Sequence, residues 1–598
     1  MKTRIIALLM VMVVVVLSFA SCFGKKNNDS TGGGTGDGGN TNSNYPWTTT
    51  TLKFQMTDNS NGTELPSSCR RYLAGDLSKL MSYESATTVD DYIKARNSAA
   101  EEETNVKVNY EYLPDAEGYN WSQNVDTIDA EVRSNSTTAP DMYSNFVYDM
   151  VAVSLKGSFA NLYSSTMYED GHELAGEDHN YFEFTKLRDK YVDTGKDYMY
   201  EYMRSLTLSK FKMYCLSSDY FTDMVRAFLV VPVNIQLLET LDTDDSTDYL
   251  KDRVETFDEN LQVRTKYTIE DFYALVNNNE WTYETLAKFS EIITKNTGGE
   301  ENIDIHDRVG FVLGTTSGLP ASGMLYTTSV TIIDRKMDAS KGDYTYKYPG
   351  THKVGNAFEM SGEDTAQIDE LVQFCNNLST LMKANGVITL STEEAAASGY
   401  GNRDLEAIRN RFASGNVLFG GVITLGSLEY EEYKDMNADG KRGYGIVPVP
   451  LYRSGSNDKY LTQIHNLGKI GAISYTTKNF SQCTAYLNYQ STHSNDILNE
   501  YYNYKLAYDV GTGVTGNVEM LQYIRYNVRS AFDKAFEDAV AYFLSANDAS
   551  ATNEKWHQML MGVDFELDTM DTEYSRLAPK KALALYQLEN ELYPTLPD

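Results

Sequence analysis

The sequence predicts an α/β chain of two lobes, each built on a mostly parallel, doubly wound sheet, with a helical C-terminal region. Three observations carry that expectation. Strand-like and helix-like segments alternate over residues 51–143 and again over 224–452. From residue 479 onward the pattern is mostly helical. The 577 residues left after a cleavable leader (598 minus 21) are too many for one hydrophobic core, so two or more lobes are required.

The elements follow in order. TLKFQM (51–56) has strand composition, and 88–105 (TVDDYIKARNSAAEEETN) places apolar and small residues at helical spacing with acids crowding one face. VKVNYEYL (106–113) alternates as a half-buried strand does, VDTIDAEVRSN (125–135) reads as a helix, and APDMY (139–143) as a short strand entered through a proline turn. FKMYCLSSDYF (211–221) reads as a hairpin, and MVRAFLVVPVN (224–234) as a long apolar strand running into the helix IQLLETL. Helices are expected at 267–276 and 281–294, a buried strand at VGFVLG (309–314), then a Gly-spaced helix and a Tyr-rich hairpin. A long helix spans 364–385, a helix stopped at Gly415 leads into a strand over 404–424, and YGIVPVPLY (444–452) is a further strand. No repeat of fixed period is present.

Ahead of this body, Lys2 and Arg4 precede an apolar run over 5–17 and then Ser18-Phe19-Ala20-Ser21-Cys22. That is the pattern of a secretory signal, too short to span a bilayer, which takes about 20 residues. Cysteine directly after Phe-Ala-Ser resembles the lipobox of bacterial lipoproteins, which implies that Cys22 is diacylated and becomes the mature N-terminus. Residues 24–44 are nearly all Gly, Asn, Ser, Thr, Asp and Lys, the composition of a flexible tether. The expected organisation is therefore leader 1–21, tether 22–47 and a globular body tied to the membrane through the N-terminal lipid.

Charge excludes some partners. The net charge of −32 becomes −34 without Lys2 and Arg4, and such a surface repels phosphate backbones, so nucleic acid is not expected. Besides Cys22, the cysteines Cys69, Cys215, Cys375 and Cys483 are too sparse for a disulfide framework and are expected as buried thiols.

Seven segments, taken in order, are similar to the extracellular solute-binding proteins (family 1) of ATP-driven importers, the type that carries sugars. They are DDYIKARNSAAEEETNVKV (90–108), with Arg96-Asn97 and Glu101-Glu102; APDMY; RAFLVVPVNIQLLETL; NNNEWTYETLAKFSEIIT; NRFASGNVLFGGVIT; YGIVPVPLY; and KIGAISYTTKNFSQCTAYLNY. The resemblance covers nearly all of 48–545 and departs in a long polar stretch at 166–210 and an extension after about residue 546. It implies a two-lobed, type II periplasmic-binding-protein-like fold with ligand in the cleft between lobes, no catalysis and no cofactor. The implied partners are a carbohydrate, with an oligosaccharide the main expectation, and the transmembrane subunits of an ABC permease. The protein itself is expected as a monomer on the extracytoplasmic face of the cell membrane. Lobe 1 is expected to comprise 48–228 and 405–475, and lobe 2 229–404 and 476–598.

Open α/β sheets bind ligands beyond the carboxyl ends of their strands, and that rule selects the candidate ligand residues. Thr57 and Asp58 follow the first strand; Ser144, Asn145 and Phe146 follow the third; Thr315, Thr316 and Ser317 follow VGFVLG; Leu425 and Gly426 follow the return strand. Tyr460, His465 and Asn466 lie near the second crossing. Ser317 and Thr57 can equally terminate backbone groups, and Trp281 is expected to pack its helix onto the lobe rather than stack on ligand. Residues 435–440 (DMNADG) match the first half of a calcium loop, but the closing position is Ile446, which cannot ligate, so a polar turn is expected there. The seven histidines show no pair at metal spacing, and neither a phosphate-cradling Gly-rich loop nor a nucleophile elbow is present. With 84 acidic residues, a surface glycoside hydrolase using two carboxylates stays open as an alternative, as does a binder of a non-sugar solute such as a peptide.

Overall fold

The structure, a computed structural model, describes most of residues 45–58, 88–162 and 202–529, together with parts of 168–173. These residues all belong to one unit, Asn44–Asp598. The leader and tether, Cys22 and Cys69, nearly all of 166–210 and everything after 529 lie outside the described residues.

In chain order, the first part supplies β1 (Thr50–Asp58), α1 (Thr88–Thr104), β2 (Val106–Pro114), α2 (Gln123–Arg133), β3 (Met142–Phe146) and α3 (Val147–Leu155). The second supplies β4 (Leu229–Asn234), α4 (Ile269–Asn277), α5 (Tyr283–Ile293), β5 (Val309–Gly314), α6 (Thr365–Met382) and β6 (Val387–Leu390). Then come α7 (Asp404–Ala413), β7 (Val417–Phe419), β8 (Ile423–Thr424) and β9 (Tyr444–Val447). The last are β10 (Lys469–Ile473), α8 (Phe480–Thr492), α9 (Asn495–Glu500) and α10 (Gly516–Tyr526).

The strands form two main sheets, so the α/β expectation holds. In the first, β1 pairs in parallel with β2 along its whole length and with β3, and β10 adds antiparallel to β3, giving the order β10-β3-β1-β2. Parallel neighbours need a crossover element, and α1 and α2 provide it. Asn105, left-handed at φ 55°, turns α1 into β2. Leu52, Phe54 and Met56 are buried on β1, while β2 alternates between sheltered and exposed positions, as its sequence foretold.

The second sheet runs β6-β5-β7-β4-β8, with β9 also on β4. Strands β6, β5 and β7 are parallel; β4 runs against β7, β8 and β9. β5 is buried at all six positions, which is why its sequence is a continuous apolar run. α5 lies so close that a Cβ added to Gly310 would sit 2.0 Å from Ser290 Cα. Between β7 and β8 the chain bulges. Phe419 faces Val233 but Ile423 faces Val230, so the β7–β8 side holds one extra residue, taken up by Gly420 and Gly421 (φ 77°). Pro232, which has no N–H to give, sits opposite that bulge and accepts from Gly420 N at 2.9 Å.

Several expectations are corrected. Residues 213–220 form no hairpin; Leu216 pairs with Gly471 and lays this segment along β10. The apolar run 224–234 divides into a short helix, Thr222–Arg226, and β4. The strand at 444–452 ends at Val447, before Pro448, and β6 was not anticipated. Of the 405–475 expected in lobe 1, β7 and β9 lie in the second sheet, β7 between β5 and β4 and β9 on β4, whereas β10 lies in the first sheet. The assignment of everything after 476 to lobe 2 fails as well, since α8 and α9 pack on α1 beside the first sheet. α10 does sit with the second sheet, against β9 and α4.

α8 meets α1 through a buried polar network. The Tyr110 hydroxyl lies 3.0 Å from that of Tyr220 and 2.6 Å from that of Tyr486, and Gln490 donates to Tyr486 and to Asn97. Arg96 donates to Asn97 and Ser494, with its guanidinium 4.9 Å above the Tyr220 ring. Burial lowers the Arg96 pKa, and the three tyrosines oppose that shift. The Arg-Asn pair therefore ties two helices together.

Candidate functional site

Two segments run between the sheets and are hydrogen-bonded to each other. Phe228 pairs antiparallel with Ile464, and His465 N donates to Ala227 O at 2.9 Å. The Thr462 hydroxyl accepts from Leu229 N at 3.2 Å and lies 3.1 Å from Leu229 O, to which it donates. A third segment joins them: Thr462 N donates to Asn527 O and Arg529 N to Thr462 O, at 2.9 and 2.8 Å. Two buried cations anchor this third segment. Arg525 pairs with Asp219 at 3.1 Å, and Arg529 donates to the Thr328 and Val330 carbonyls while lying 4.5 Å over the Tyr326 ring.

The carboxyl ends of strands from both sheets meet this crossing. In the first sheet, Phe146 pairs with Lys469, and Val147 N donates to Gly468 O at 2.9 Å. In the second, β7 runs opposite to β4 and so points toward Leu229, where Thr424 pairs and Leu425 N donates to Phe228 O at 2.7 Å. The crossing therefore joins two sheets at strand ends, the place where such sheets bind small molecules.

The expected ligand residues divide into two groups. Asn145, Phe146, Leu425, Gly426 and His465 form a chain of contacts around 226–229 and 464–469. Ser144, Asn145 and Phe146 are not in a loop, as expected, but in β3, which runs straight into α3; all three are buried. Asn145 Oδ1 accepts from Phe146 N, whereas Asn145 Nδ2 and Ser144 Oγ are buried without a hydrogen-bond partner. The Phe146 ring lies 5.8 Å from Lys469 Nζ. Leu425 is fully buried, and a Cβ at Gly426 would lie 3.3 Å from Arg226. His465 is half-buried.

The others are placed differently. Thr315 N donates to Leu390 O, Thr316 N to Asp404 Oδ2, and Thr392 N to Thr316 Oγ1, so this turn stitches β5, β6 and α7 together. Tyr460 is fully buried, its hydroxyl accepts from Trp281 N at 2.9 Å, and burial pushes its phenol well above the usual range. Trp281 packs, as expected, against Phe272 and Phe419, and its ring N–H donates to Pro448 O. Thr57 and Asp58 end β1 opposite Leu113 and Pro114, and nothing is described of their side chains. Ser317, Asn466 and 437–442 of the calcium-like loop lie outside the described residues.

The sequence reading missed Arg226, Lys469, Asp219 and Arg525, all buried at the crossing. A signal existed for the first two: single cations inside the apolar runs MVRAFLVV and KIGAI. Among the described residues there is no group of three or more His, Cys, Asp or Glu placed to hold a metal, and no helix long and apolar enough to cross a membrane. A cavity of about 600 Å³ lined by Tyr249, Arg253, Asn278 and Glu280 shares no residue with the crossing; Arg253 bridges Glu280 and Glu284 at its wall.

No protein-family model matches the chain, and no curated protein matches it. Among solved structures, it is similar to a maltose-binding periplasmic protein of Listeria monocytogenes in complex with maltose, at 11 % identity over 92 % of this chain and 99 % of that one, TM-score 0.43. It is also similar to the galacto-N-biose/lacto-N-biose I-binding protein of the ABC transporter of Bifidobacterium longum, in complex with lacto-N-biose, at 11 % identity over 93 % and 99 %, TM-score 0.39. An extracellular solute-binding protein family 1 from Alicyclobacillus acidocaldarius is similar at 10 % identity over 91 % and 100 %, TM-score 0.42.

Proposed function

We propose that the chain is a solute-binding protein of an ABC importer. It is held at the extracytoplasmic face of the membrane through a lipid on Cys22, captures a carbohydrate between its two sheets, and delivers it to the permease subunits. It acts as a monomer by binding and closure, without breaking a bond. The single observation that carries this reading is the topology: two sheets, each presenting strand carboxyl ends to one crossing of hydrogen-bonded segments. Rotation about a few residues there opens and closes a cleft. The unpartnered Ser144 Oγ and Asn145 Nδ2 support it, since buried polar groups left without partners are costly and mark places a ligand can satisfy. Sugar hydroxyls, which both donate and accept, suit such groups.

The test is a thermal shift of the mature chain against mono- and oligosaccharides, with peptides and polyamines as competitors. A ligand at a hundredfold over its Kd adds about 2.7 kcal/mol of stability. The sugar assignment fails if no saccharide raises the melting temperature while a peptide does. Release of reducing ends on prolonged incubation refutes the claim that no bond is broken.

A further inference from the structure

A buried ion pair spans the crossing, from what packs on one sheet to what packs on the other. Asp219 is held with the first sheet: Leu216 pairs with Gly471 of β10, the Ser218 hydroxyl accepts from Ser491 of α8 at 2.8 Å, and the Tyr220 hydroxyl lies 3.0 Å from that of Tyr110 in β2. Arg525 is held with the second. It lies in the last turn of α10, which packs on β9 and α4 and whose Asn517 accepts from Ile446 N at 3.0 Å and from the Tyr273 hydroxyl. Arg525 Nη2 donates to Asp219 Oδ2 at 3.1 Å, and the two residues are 5 % and 4 % exposed.

Arg529, four residues on, bonds within one side. The carbonyls it donates to, those of Thr328 and Val330, follow the helix Gly318–Leu325, whose Gly323 lies against Leu229 and Val422 of the second sheet. Rotation of the sheets about the crossing leaves those bonds intact but parts Asp219 from Arg525, whose hydrogen bond is gone by about 3.6 Å. Leaving buried charges without their partners is costly, so the pair favours the orientation seen here. That orientation also buries Ser144, Asn145, Phe146 and Leu425. Within the binding-and-closure reading it is the closed one.

We infer that Asp219 and Arg525 form a latch that holds the two sheets in the closed orientation and so sets the affinity for solute. This rests on the reading of the crossing as the hinge of a solute cleft. Asp219 is then a positioning residue, acting on solute through the orientation of the sheets. Solute meets its full affinity only in the closed fraction of molecules, so a tenfold smaller fraction weakens the apparent affinity about tenfold.

The test reads the distance between the sheets directly. Nitroxide labels on p-acetylphenylalanine at two exposed positions, Glu102 of α1 and Glu393 beside α7, report that distance by electron–electron resonance in the mature chain without solute. Expected is one distance in the parent and a second, longer one in Asp219→Asn, with no change in Gly415→Ala, which strains a turn far from the latch. For any saccharide that raises the melting temperature of the parent, Kd should be at least tenfold weaker in Asp219→Asn and unchanged in Gly415→Ala. Should Asp219→Asn fail to fold, the double variant Asp219→Asn with Arg525→Gln strands no charge and is expected to show the same second distance. The latch is overturned if neither variant lengthens the distance, or if Gly415→Ala lengthens it equally. Its control of affinity is overturned if the distance lengthens and Kd does not move. The distance arm needs no solute, so it decides the latch even where every saccharide fails to bind and the cleft reading falls.

Discussion

Thr462→Val tests whether one hydroxyl ties the crossing segments together. Valine replaces threonine at nearly equal volume, so no cavity opens, and only the hydroxyl is lost from a residue 1 % exposed. That hydroxyl satisfies both the N–H and the C=O of Leu229, at 3.2 and 3.1 Å. A buried group left without its partner costs about 1–3 kcal/mol, and two are stranded here. The C=O, with a second lone pair, is expected at the low end of that range, which gives roughly 2–4 kcal/mol in all. The assay is urea unfolding followed by tryptophan fluorescence, comparing midpoints at constant slope. Thr462→Ser keeps both hydrogen bonds and loses one methyl, about 0.8 kcal/mol. The reasoning is refuted if Val costs no more than Ser, for then the hydroxyl does not hold the crossing.

Three further outcomes are expected. Gly310→Ala forces α5 off β5, since the new Cβ would sit 2.0 Å from Ser290 Cα; the loss should reach at least the ~1–3 kcal/mol of ordinary overpacking. Gly415→Ala, at φ 79° with open space around it, should cost only about 1–2 kcal/mol, and equal losses in urea unfolding would reject the close-approach argument. Burial raises the Glu131 carboxyl above its ordinary 4.5, so the stabilising neutral form is fully present below about 4.5 and is lost as pH rises through the higher folded value. Glu131→Gln should therefore gain on the parent between pH 4 and 7, and a flat difference contradicts this. Cys215, Cys375 and Cys483 are unpaired and buried, and burial pushes the first two thiols up to about 12. At pH 8 iodoacetamide should leave all three unmodified until denaturant is added, as read by peptide mass spectrometry.

Local structure was the legible part of the sequence. VGFVLG announced a strand buried on both faces, and the alternation of VKVNYEYL announced a sheet with one open face. What failed was pairing. NVLFGGVIT reads as a strand in either sheet, and only the fit of Val417–Phe419 between β5 and β4 decides which. The bulge at Gly420-Gly421 answers a proline nearly two hundred residues earlier, a relation that no local window contains. The strand-end rule found Asn145, Phe146 and Leu425 near the crossing. Tyr460, chosen instead for its place near the second crossing, is buried with its hydroxyl on Trp281 N, since proximity in sequence does not fix which way a side chain faces. Arg226 and Lys469 were readable as cations among apolar sequence neighbours, but the residues packed around them were not.

The position of β10 has a consequence for how the chain acquires its shape. Its partner β3 ends at Phe146, whereas β10 starts only at Lys469, after the whole second sheet has been specified. Until Lys469–Ile473 emerges, the edge of β3 offers unpaired backbone groups to any strand that passes, including those of another copy. Folding of the first sheet therefore waits until most of the chain has been made, and contacts so distant along the chain form slowly. This predicts a long-lived, aggregation-prone intermediate with the second sheet formed and the first still open.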